Sequence, residues 1–254
     1  MASATIKLPA ISSLADFTES INGLVYADPG AGKTVLGGTT NGLILATEAG
    51  TISAKRAGST ALVQPIPNWN ALMEVVRRAR RGDQKYLKRD WWVIDTLTEA
   101  QNLLMRQILQ DAHDENKSRN LDQPQIQDWG IYQNQFKRVV KAINDLPVNV
   151  LYLCHTMTDE DEEGNQVVLP AIQGKNGTND PLTMSRWVCG TVHFYGYLKV
   201  KHTGDKEFRR LICKRSGPYF GKDRYGVLLP YVDDPNMLEI QQRIEDSMPK
   251  EEVS

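Results

Sequence analysis

A run of eight residues has the composition of a loop that binds phosphate groups: Ala27-Asp28-Pro29-Gly30-Ala31-Gly32-Lys33-Thr34. This is the Walker A pattern with alanine at its first glycine position, and it directly follows an apolar stretch. In such a loop successive backbone N–H groups converge on phosphates, and the following helix adds partial positive charge. We expect Lys33 to reach the β- and γ-phosphates of a nucleotide and Thr34 to bind Mg²⁺. The predicted nucleotide contacts are Asp28, Pro29, Gly30, Ala31, Gly32, Lys33, Thr34 and Val35.

A second motif ends in a carboxylate. Asp95 closes the apolar run 91–94, which fits the Walker B pattern, in which a buried strand delivers an Asp to the Mg²⁺ shell. An Asp at a strand end also caps a following helix in many proteins, so that reading stays open for Asp95. We therefore expect Thr34 and Asp95 to be the metal ligands, with ATP and Mg²⁺ as cofactors.

Short apolar runs predict the strands that position these groups. Residues 23–27, 42–47, 91–95 and 148–154 look like buried strands of a mainly parallel sheet. Helical stripes lie between them, at 72–79 with Asn70 as N-cap, at 97–108 with a Thr96–Glu99 capping box, and at 129–143. Later stretches, 191–201 and 207–214, predict antiparallel strands that extend the sheet. Strands alternating with helices indicate an α/β fold.

Composition limits the class of protein. The chain has 254 residues, a net charge of −1, 41% hydrophobic and 24% charged residues, which is ordinary for a globular protein and excludes a fibrous or largely disordered one. Three cysteines are too few for a disulfide framework or a zinc site. No apolar run reaches the ~20 residues that span a bilayer. With no secretory signal expected either, we predict a cytoplasmic protein without a membrane partner.

The motifs, in this order, resemble the RecA-like P-loop ATPases. More narrowly, the chain is similar to phage single-strand-annealing ATPases of the Sak-four type, which carry a small AAA domain. The resemblance rests on residues 27–34, 43–48, 92–95, 151–155 and 222–226. It implies a RecA-like P-loop NTPase core, a mainly parallel sheet with an antiparallel C-terminal extension. The implied organisation is an N-terminal segment 1–20, an ATPase domain 21–232 and a C-terminal tail 233–254.

The resemblance also implies catalytic roles beyond Lys33. Glu48 would activate the attacking water, and His155 would sense the γ-phosphate, although both residue types also occur at strand ends without a role. Lys222 and Arg224 would reach the γ-phosphate held by a neighbouring subunit. The chain departs from related patterns in having Thr96 after Asp95, where many ring ATPases place a catalytic Glu. It also has Asp223, where bacterial RadA has a neutral Asn.

By the same resemblance, loops near 113–128 and 156–182 would bind single-stranded DNA. Lys175, Asn176 and Arg186 are the candidate phosphate contacts. The acidic run Asp159–Glu163 reads as an exposed turn, and we expect it to point away from DNA.

The leading hypothesis is therefore an ATPase, stimulated by DNA, that binds single-stranded DNA and promotes annealing and recombination. It would be phage-encoded, act in the host cytoplasm and form a ring or filament of identical subunits, with a single-strand-binding protein as a further candidate partner. The alternatives are a DNA helicase or branch-migration motor of the same fold, a P-loop small-molecule kinase, and a nucleotide-dependent switch that does not hydrolyse ATP.

Overall fold

The computed structural model describes residues 19–161, 163–177, 180–204 and 206–248, with the backbone alone described for 175–177 and 180–182. The strands, in chain order, are β1 (Asn22–Tyr26), β2 (Leu43–Ala46), β3 (Leu62–Pro65), β4 (Trp91–Asp95), β5 (Asn149–Cys154), β6 (Thr156–Glu160), β7 (Gln166–Pro170), β8 (Lys175–Gly177), β9 (Asp180–Thr183), β10 (Phe194–Thr203), β11 (Lys206–Ile212), β12 (Lys222–Asp223) and β13 (Tyr231–Asp233). The helices are α1 (Lys33–Gly38), α2 (Ile52–Arg56), α3 (Trp69–Arg80), α4 (Gln84–Leu87), α5 (Leu97–Glu115), α6 (Ile126–Asn144), α7 (Met184–Thr191) and α8 (Met237–Ser247).

One central sheet organises the described residues. Its order is β3-β2-β4-β5-β1-β10-β11-β13, and β12 also pairs with β10. The first six strands are mutually parallel, whereas β11, β12 and β13 are antiparallel to their neighbours. This is the predicted α/β class, a mainly parallel sheet with an antiparallel C-terminal extension. Two further hairpins, β6–β7 and β8–β9, lie outside this sheet.

Both faces of the central strands are buried, which explains why their sequences read as continuous apolar runs. Leu24 and Tyr26 of β1 pack with residues of α3, α5, α6 and α7. Val25 points to the opposite cluster, which contains Leu36 of α1 and residues of α8. The segment 233–254, assigned to a tail from the sequence, thus contributes a helix to the core. Its buried Met237, Ile240 and Ile244 recur at helical spacing.

Helix starts follow local hydrogen bonding. The Thr96 hydroxyl accepts a hydrogen bond from the Glu99 N–H, so the predicted N-cap of α5 is confirmed. The predicted N-cap of α3 is wrong: Asn68, not Asn70, caps it by accepting from the Ala71 N–H. Asn68 has the extended backbone that a cap requires, whereas Asn70 already lies within the helix.

The strand order brings the carboxyl ends of β1, β2, β4 and β5 to one edge of the sheet, called the nucleotide edge below. Ala46 is level with Asp95, and Asp95 with Leu153, while Tyr26 is level with Cys154. Since β5 lies between β1 and β4, the residue after it, His155, is flanked by the loop after β1 and by Asp95. Among the described residues, no helix is both long and apolar enough to cross a membrane.

Candidate active site

The loop after β1 has the backbone shape of a phosphate cradle. Gly30 and Gly32 have φ of 81° and 98°, the left-handed region that glycine enters without steric cost. Gly32 is the N-cap of α1 and no side chain caps this helix. The first-turn N–H groups of α1 therefore point into the loop without a side-chain acceptor, which is the arrangement that binds phosphate oxygens.

Lys33 is held inside this loop. Lys33 is only 7% exposed, and its Nζ donates hydrogen bonds to the main-chain oxygens of Ala27 (3.0 Å) and Asp28 (3.1 Å). Burial lowers the pKa of Lys33, while the nearby carboxylates of Glu48 and Asp95 oppose that shift. A buried ammonium gains most from a close anion. The position therefore suits the β- and γ-phosphates that the sequence pattern predicts.

Thr34 and Asp95 meet as the metal-site prediction requires. The Thr34 hydroxyl donates to Asp95 Oδ2 at 2.9 Å. Asp95 is 3% exposed, and its Oδ1 is buried with no hydrogen-bond partner among the described residues. Burial raises the pKa of Asp95, and the hydrogen bond from Thr34 opposes the rise.

These two side chains fit Mg²⁺, which binds proteins through one or two oxygen ligands while phosphates and waters complete its shell. No cluster of three or more His, Cys, Asp or Glu side chains in the described part of the chain could hold a metal alone. When bound there, Mg²⁺ would neutralise phosphate charge. The partnerless Oδ1 of Asp95 is the oxygen left free to face it.

Glu48 and His155 form a pair at the same edge. His155 Nε2 lies 3.3 Å from Glu48 Oε1, and both side chains are about one-third exposed, at 31% and 35%. The backbone N–H of His155 donates to the Thr98 hydroxyl at 3.0 Å, which ties the end of β5 to the first turn of α5. A partly exposed carboxylate oriented by an imidazole can accept a proton from water, so this pair can perform general base catalysis.

Two residues that the sequence did not single out bind the loop. Asp28 accepts hydrogen bonds from the Thr156 hydroxyl at 2.5 Å and from the Tyr197 hydroxyl at 2.8 Å. The bond from Thr156, with the one from Tyr197, holds the pKa of Asp28 below its usual range. The carboxylate of Asp28 thus anchors the loop to β6 and β10. Thr156 could have been found as the neighbour of His155, whereas nothing near Tyr197 in the sequence indicates this contact.

Thr96, which stands where other ATPases place a carboxylate, has a structural role. Its N–H donates to the Thr47 hydroxyl at 2.8 Å, and that hydroxyl donates to the Thr96 oxygen at 2.9 Å. The Asp95–Thr96 peptide bond is cis. Thr47 precedes Glu48, so this double contact joins the segment carrying Glu48 to the residue after Asp95.

Lys222 and Arg224 lie at the opposite end of the strands. Phe194 of β10 pairs with Gly23 of β1 on one side and with Asp223 on the other, so Asp223 is level with Gly23. The phosphate loop begins after Tyr26, three residues further along β1, which is about 10 Å from Gly23 along the strand. Lys222 Nζ donates to the Cys189 oxygen at 2.7 Å, and Arg224 Nη2 to the Gly190 oxygen at 2.8 Å. Burial, and then the charge of Arg224, lower the pKa of Lys222 to about 8. The structure does not bring this pair to its own phosphate loop.

The predicted DNA contacts lie on two different elements. Lys175 and Asn176 lie on β8, where side chains fall outside the description. Arg186, on α7, lines a cavity of about 440 Å³ that we call the α7 groove. The other lining residues are Asp161, Glu163, Leu169, Cys189, Gly190, Tyr195, Arg215, Phe220 and Lys222.

The acidic turn and one of these predicted contacts, Arg186, line the same groove, and the expectation that the turn points away from DNA stays a prediction. The β6–β7 hairpin folds back toward the C-terminal part of the sheet, where the Val168 N–H donates to the Pro218 oxygen. Its turn then places Asp161 Oδ2 3.5 Å from Arg215 Nη2. The groove therefore combines cations, aromatic rings and carboxylates.

Comparison with known proteins gives one family and two structural likenesses. The family model described as AAA domain matches residues 19–225. The flagellar accessory protein FlaH from Methanocaldococcus jannaschii is 8% identical, with a TM-score of 0.42 and coverage of 85% of this chain and 84% of that one. A KaiC-like protein from Pyrococcus horikoshii OT3 is 10% identical, with a TM-score of 0.42 and coverage of 77% and 79%. Comparison with curated protein sequences gives no match.

The family match includes every side chain placed at the nucleotide edge. It begins before β1 and ends after Arg224. The phosphate loop and the Thr34–Asp95 contact are the parts with which P-loop NTPases hold phosphate and Mg²⁺. The chain belongs to the AAA-domain family of P-loop ATPases.

Proposed function

We propose that the protein is a phage-encoded ATPase, acting in the host cytoplasm, that binds single-stranded DNA and promotes annealing in recombination. It would work as a ring or filament of identical subunits, with ATP held between neighbours. The observation that carries the proposal is the hydrogen bonding that links the nucleotide edge to the segment 171–173, which precedes the β8–β9 hairpin where Lys175 and Asn176 lie. It begins where the Ala171 N–H donates to the main-chain oxygen of His155 at 2.8 Å.

The hydrolytic step uses groups already in place. Glu48 accepts a proton from the attacking water, and His155 orients the Glu48 carboxylate and donates a hydrogen bond toward the γ-phosphate. Lys33 and the N–H groups of the loop stabilise the phosphate oxygens as negative charge develops on them. The solvent exposure of Glu48 and His155 gives water access to this position.

A buried glutamine carries the connection to the hairpin. Gln101, on the helix that follows Asp95, is 3% exposed and donates to the Ala171 oxygen at 2.9 Å. Its Oε1 accepts from the Gln173 N–H at 2.9 Å and from the Tyr132 hydroxyl at 2.8 Å. Residues 171–173 lead directly into β8. A shift of α5 on nucleotide binding would therefore move the start of the hairpin.

The position of Lys222 and Arg224 supports assembly. A cationic pair on the end of the sheet opposite its own phosphate loop can act only on a nucleotide held by another subunit. Repeating this head-to-tail contact gives a ring if the rotation closes and a filament if it does not. The nucleotide would then lie between subunits.

Of the three predicted DNA contacts, Arg186 is the one whose side chain the structure describes. Single-stranded nucleic acid binds grooves that combine cations with aromatic rings. The α7 groove offers Arg186 and Arg215, with the ring of Phe220 beneath the Arg215 guanidinium at 4.9 Å. Asp161 and Glu163 on its rim reduce the local positive charge, so we assign most of the affinity to the β8–β9 hairpin.

The test is the ATPase rate of the full chain with and without single-stranded DNA, together with the annealing of complementary strands. We expect DNA to raise the rate and annealing to need ATP. Lys33→Ala should lower the ATPase rate by roughly 100-fold to 1,000-fold and prevent annealing. The matched control is Lys88→Ala, an exposed lysine at the C-cap of α4.

Full ATPase activity in Lys33→Ala would contradict the proposal. Unwinding of duplex DNA without annealing would instead indicate a helicase, and stimulation by a metabolite but not by DNA would indicate a kinase. ATP binding without turnover would indicate a switch.

A further inference from the structure

We propose that Arg209, on β11, is a phosphate ligand for the nucleotide bound to the loop of its own chain. The proposal rests on nucleotide binding at this loop, not on DNA binding or annealing. It assigns the nucleotide a contact from β11, a strand of the antiparallel extension that none of the sequence motifs includes.

The first observation is the closeness of Arg209 to the loop. A Cβ atom built on Gly32 would lie 3.0 Å from Arg209 Nε and 3.5 Å from its Cδ. The guanidinium therefore passes directly over the residue before Lys33. The φ of 98° favours glycine at position 32, and any side chain there would also have to displace Arg209 by a few tenths of an ångström.

The second observation is an unused donor. Arg209 Nε is buried and has no hydrogen-bond partner among the described residues. Leaving a buried charged donor unpaired is costly, so such groups are normally satisfied by protein, water or ligand. An oxygen of a bound phosphate is a negatively charged acceptor that can take the hydrogen bond of this N–H.

The third observation is that Arg209 is held in place. Its N–H donates to Asp234 Oδ1 at 2.9 Å, and its main-chain oxygen accepts from the Asp234 N–H at 2.6 Å. The other end of the side chain contacts Glu207, 2.9 Å from Nη2, in an ion pair whose two side chains are 40% and 48% exposed. Such an exposed pair is weak and does not compete with a charge-assisted bond to phosphate.

Arg210 provides a matched control on the same strand. Successive strand residues point to opposite faces, and Arg210 pairs with Asp233 instead, at 2.5 Å, while stacking over the Tyr231 ring. It carries the same charge one residue away but faces away from Gly32.

The experiment measures dissociation constants of the full chain for Mg-ATP and for inorganic tripolyphosphate, which has phosphates but no base. Arg209→Gln and Arg209→Met should weaken both ligands by the same factor, about 10-fold to 100-fold. Arg210→Gln should stay within about 2-fold of wild type. Methionine keeps the aliphatic contact with Gly32, and unfolding temperatures without ligand should match wild type for every variant.

Unchanged affinities in both Arg209 variants would overturn the proposal. So would a loss confined to ATP, because that would place Arg209 on the base or sugar. Lys33→Ala separates this inference from the proposed function. If Lys33→Ala loses ATP and the Arg209 variants do not, only the role of Arg209 fails. If wild type binds neither ligand, the nucleotide-dependent function fails with it.

Discussion

The nucleotide edge and the α7 groove differ in how the chain assembles them. At the nucleotide edge Glu48, Asp95 and His155 lie at or just after the ends of buried parallel strands, so sheet order brings them together beside the loop that holds Lys33. The α7 groove draws its lining from the β6–β7 turn, α7, β10 and the segment 215–222. The first site is supported by buried core strands, whereas the second depends on how hairpins fold against the core.

The largest expected effect tests whether Arg224, at the end of the sheet opposite the nucleotide edge, acts across a subunit boundary. Arg224→Ala should lower the ATPase rate by roughly 1,000-fold or more, as loss of an arginine acting on the γ-phosphate does. Mixing Arg224→Ala with Lys33→Ala subunits should restore activity, because one supplies the intact loop and the other the intact arginine. Steady-state ATPase assays of the mixture measure this, and no recovery would contradict action between subunits.

The next effect sharpens the assignment of the base within the nucleotide edge. Glu48→Gln should reduce the rate by roughly 100-fold to 10,000-fold, since it removes the proton acceptor. ATP affinity should remain, because Lys33 and the loop N–H groups are unchanged. Glu115→Gln, at the exposed end of α5, is the control. The measurement is the single-turnover hydrolysis rate, with ATP binding determined in parallel. Normal hydrolysis in Glu48→Gln would mean that another group is the base.

The pH dependence of the ATPase tests whether Lys222, which lines the α7 groove, acts at the nucleotide edge of a neighbouring subunit. The pKa of Lys222 is lowered to about 8, so its ammonium loses a proton, and with it the positive charge, as pH rises through that value. We expect kcat/KM for ATP to fall above about pH 8, approaching 10-fold per unit for a single required proton. Lys222→Arg should remove this fall, because arginine stays charged. A decline that persists in Lys222→Arg would assign it to another group.

The smallest effect concerns the α7 groove. Arg186→Ala should weaken single-stranded DNA binding by roughly 3-fold to 10-fold and reduce the dependence of affinity on salt by about one phosphate contact. Arg80→Ala, an exposed arginine on α3, should change neither quantity. Fluorescence titrations at several salt concentrations test this, and equal effects of both variants would mean that overall charge, not the groove, attracts DNA.

Much of the fold could be predicted because local patterns agree with it. The four strands predicted to be buried and parallel correspond to β1, β2, β4 and β5, and the two later ones to β10 and β11. Thr96 caps α5 as its spacing with Glu99 indicates. The edge strand β3 was not predicted, since its Leu62 and Val63 are about half exposed and lack the signature of a buried strand. Helix α7 was not predicted; the strand predicted over 191–201 begins at Phe194, and Thr191 is the last residue of the helix.

By itself the sequence determined the phosphate loop, the strand-end residues Glu48, Asp95 and His155, and the α/β class. These features depend on neighbours in the chain, on strand periodicity and on the rule that parallel strands end at one edge. Only the tertiary structure decided that Tyr197 and Thr156 anchor Asp28, that Arg209 covers Gly32, and that the acidic turn borders Arg186. Those contacts join segments up to 177 residues apart, as between Gly32 and Arg209, and no local pattern encodes such a pairing.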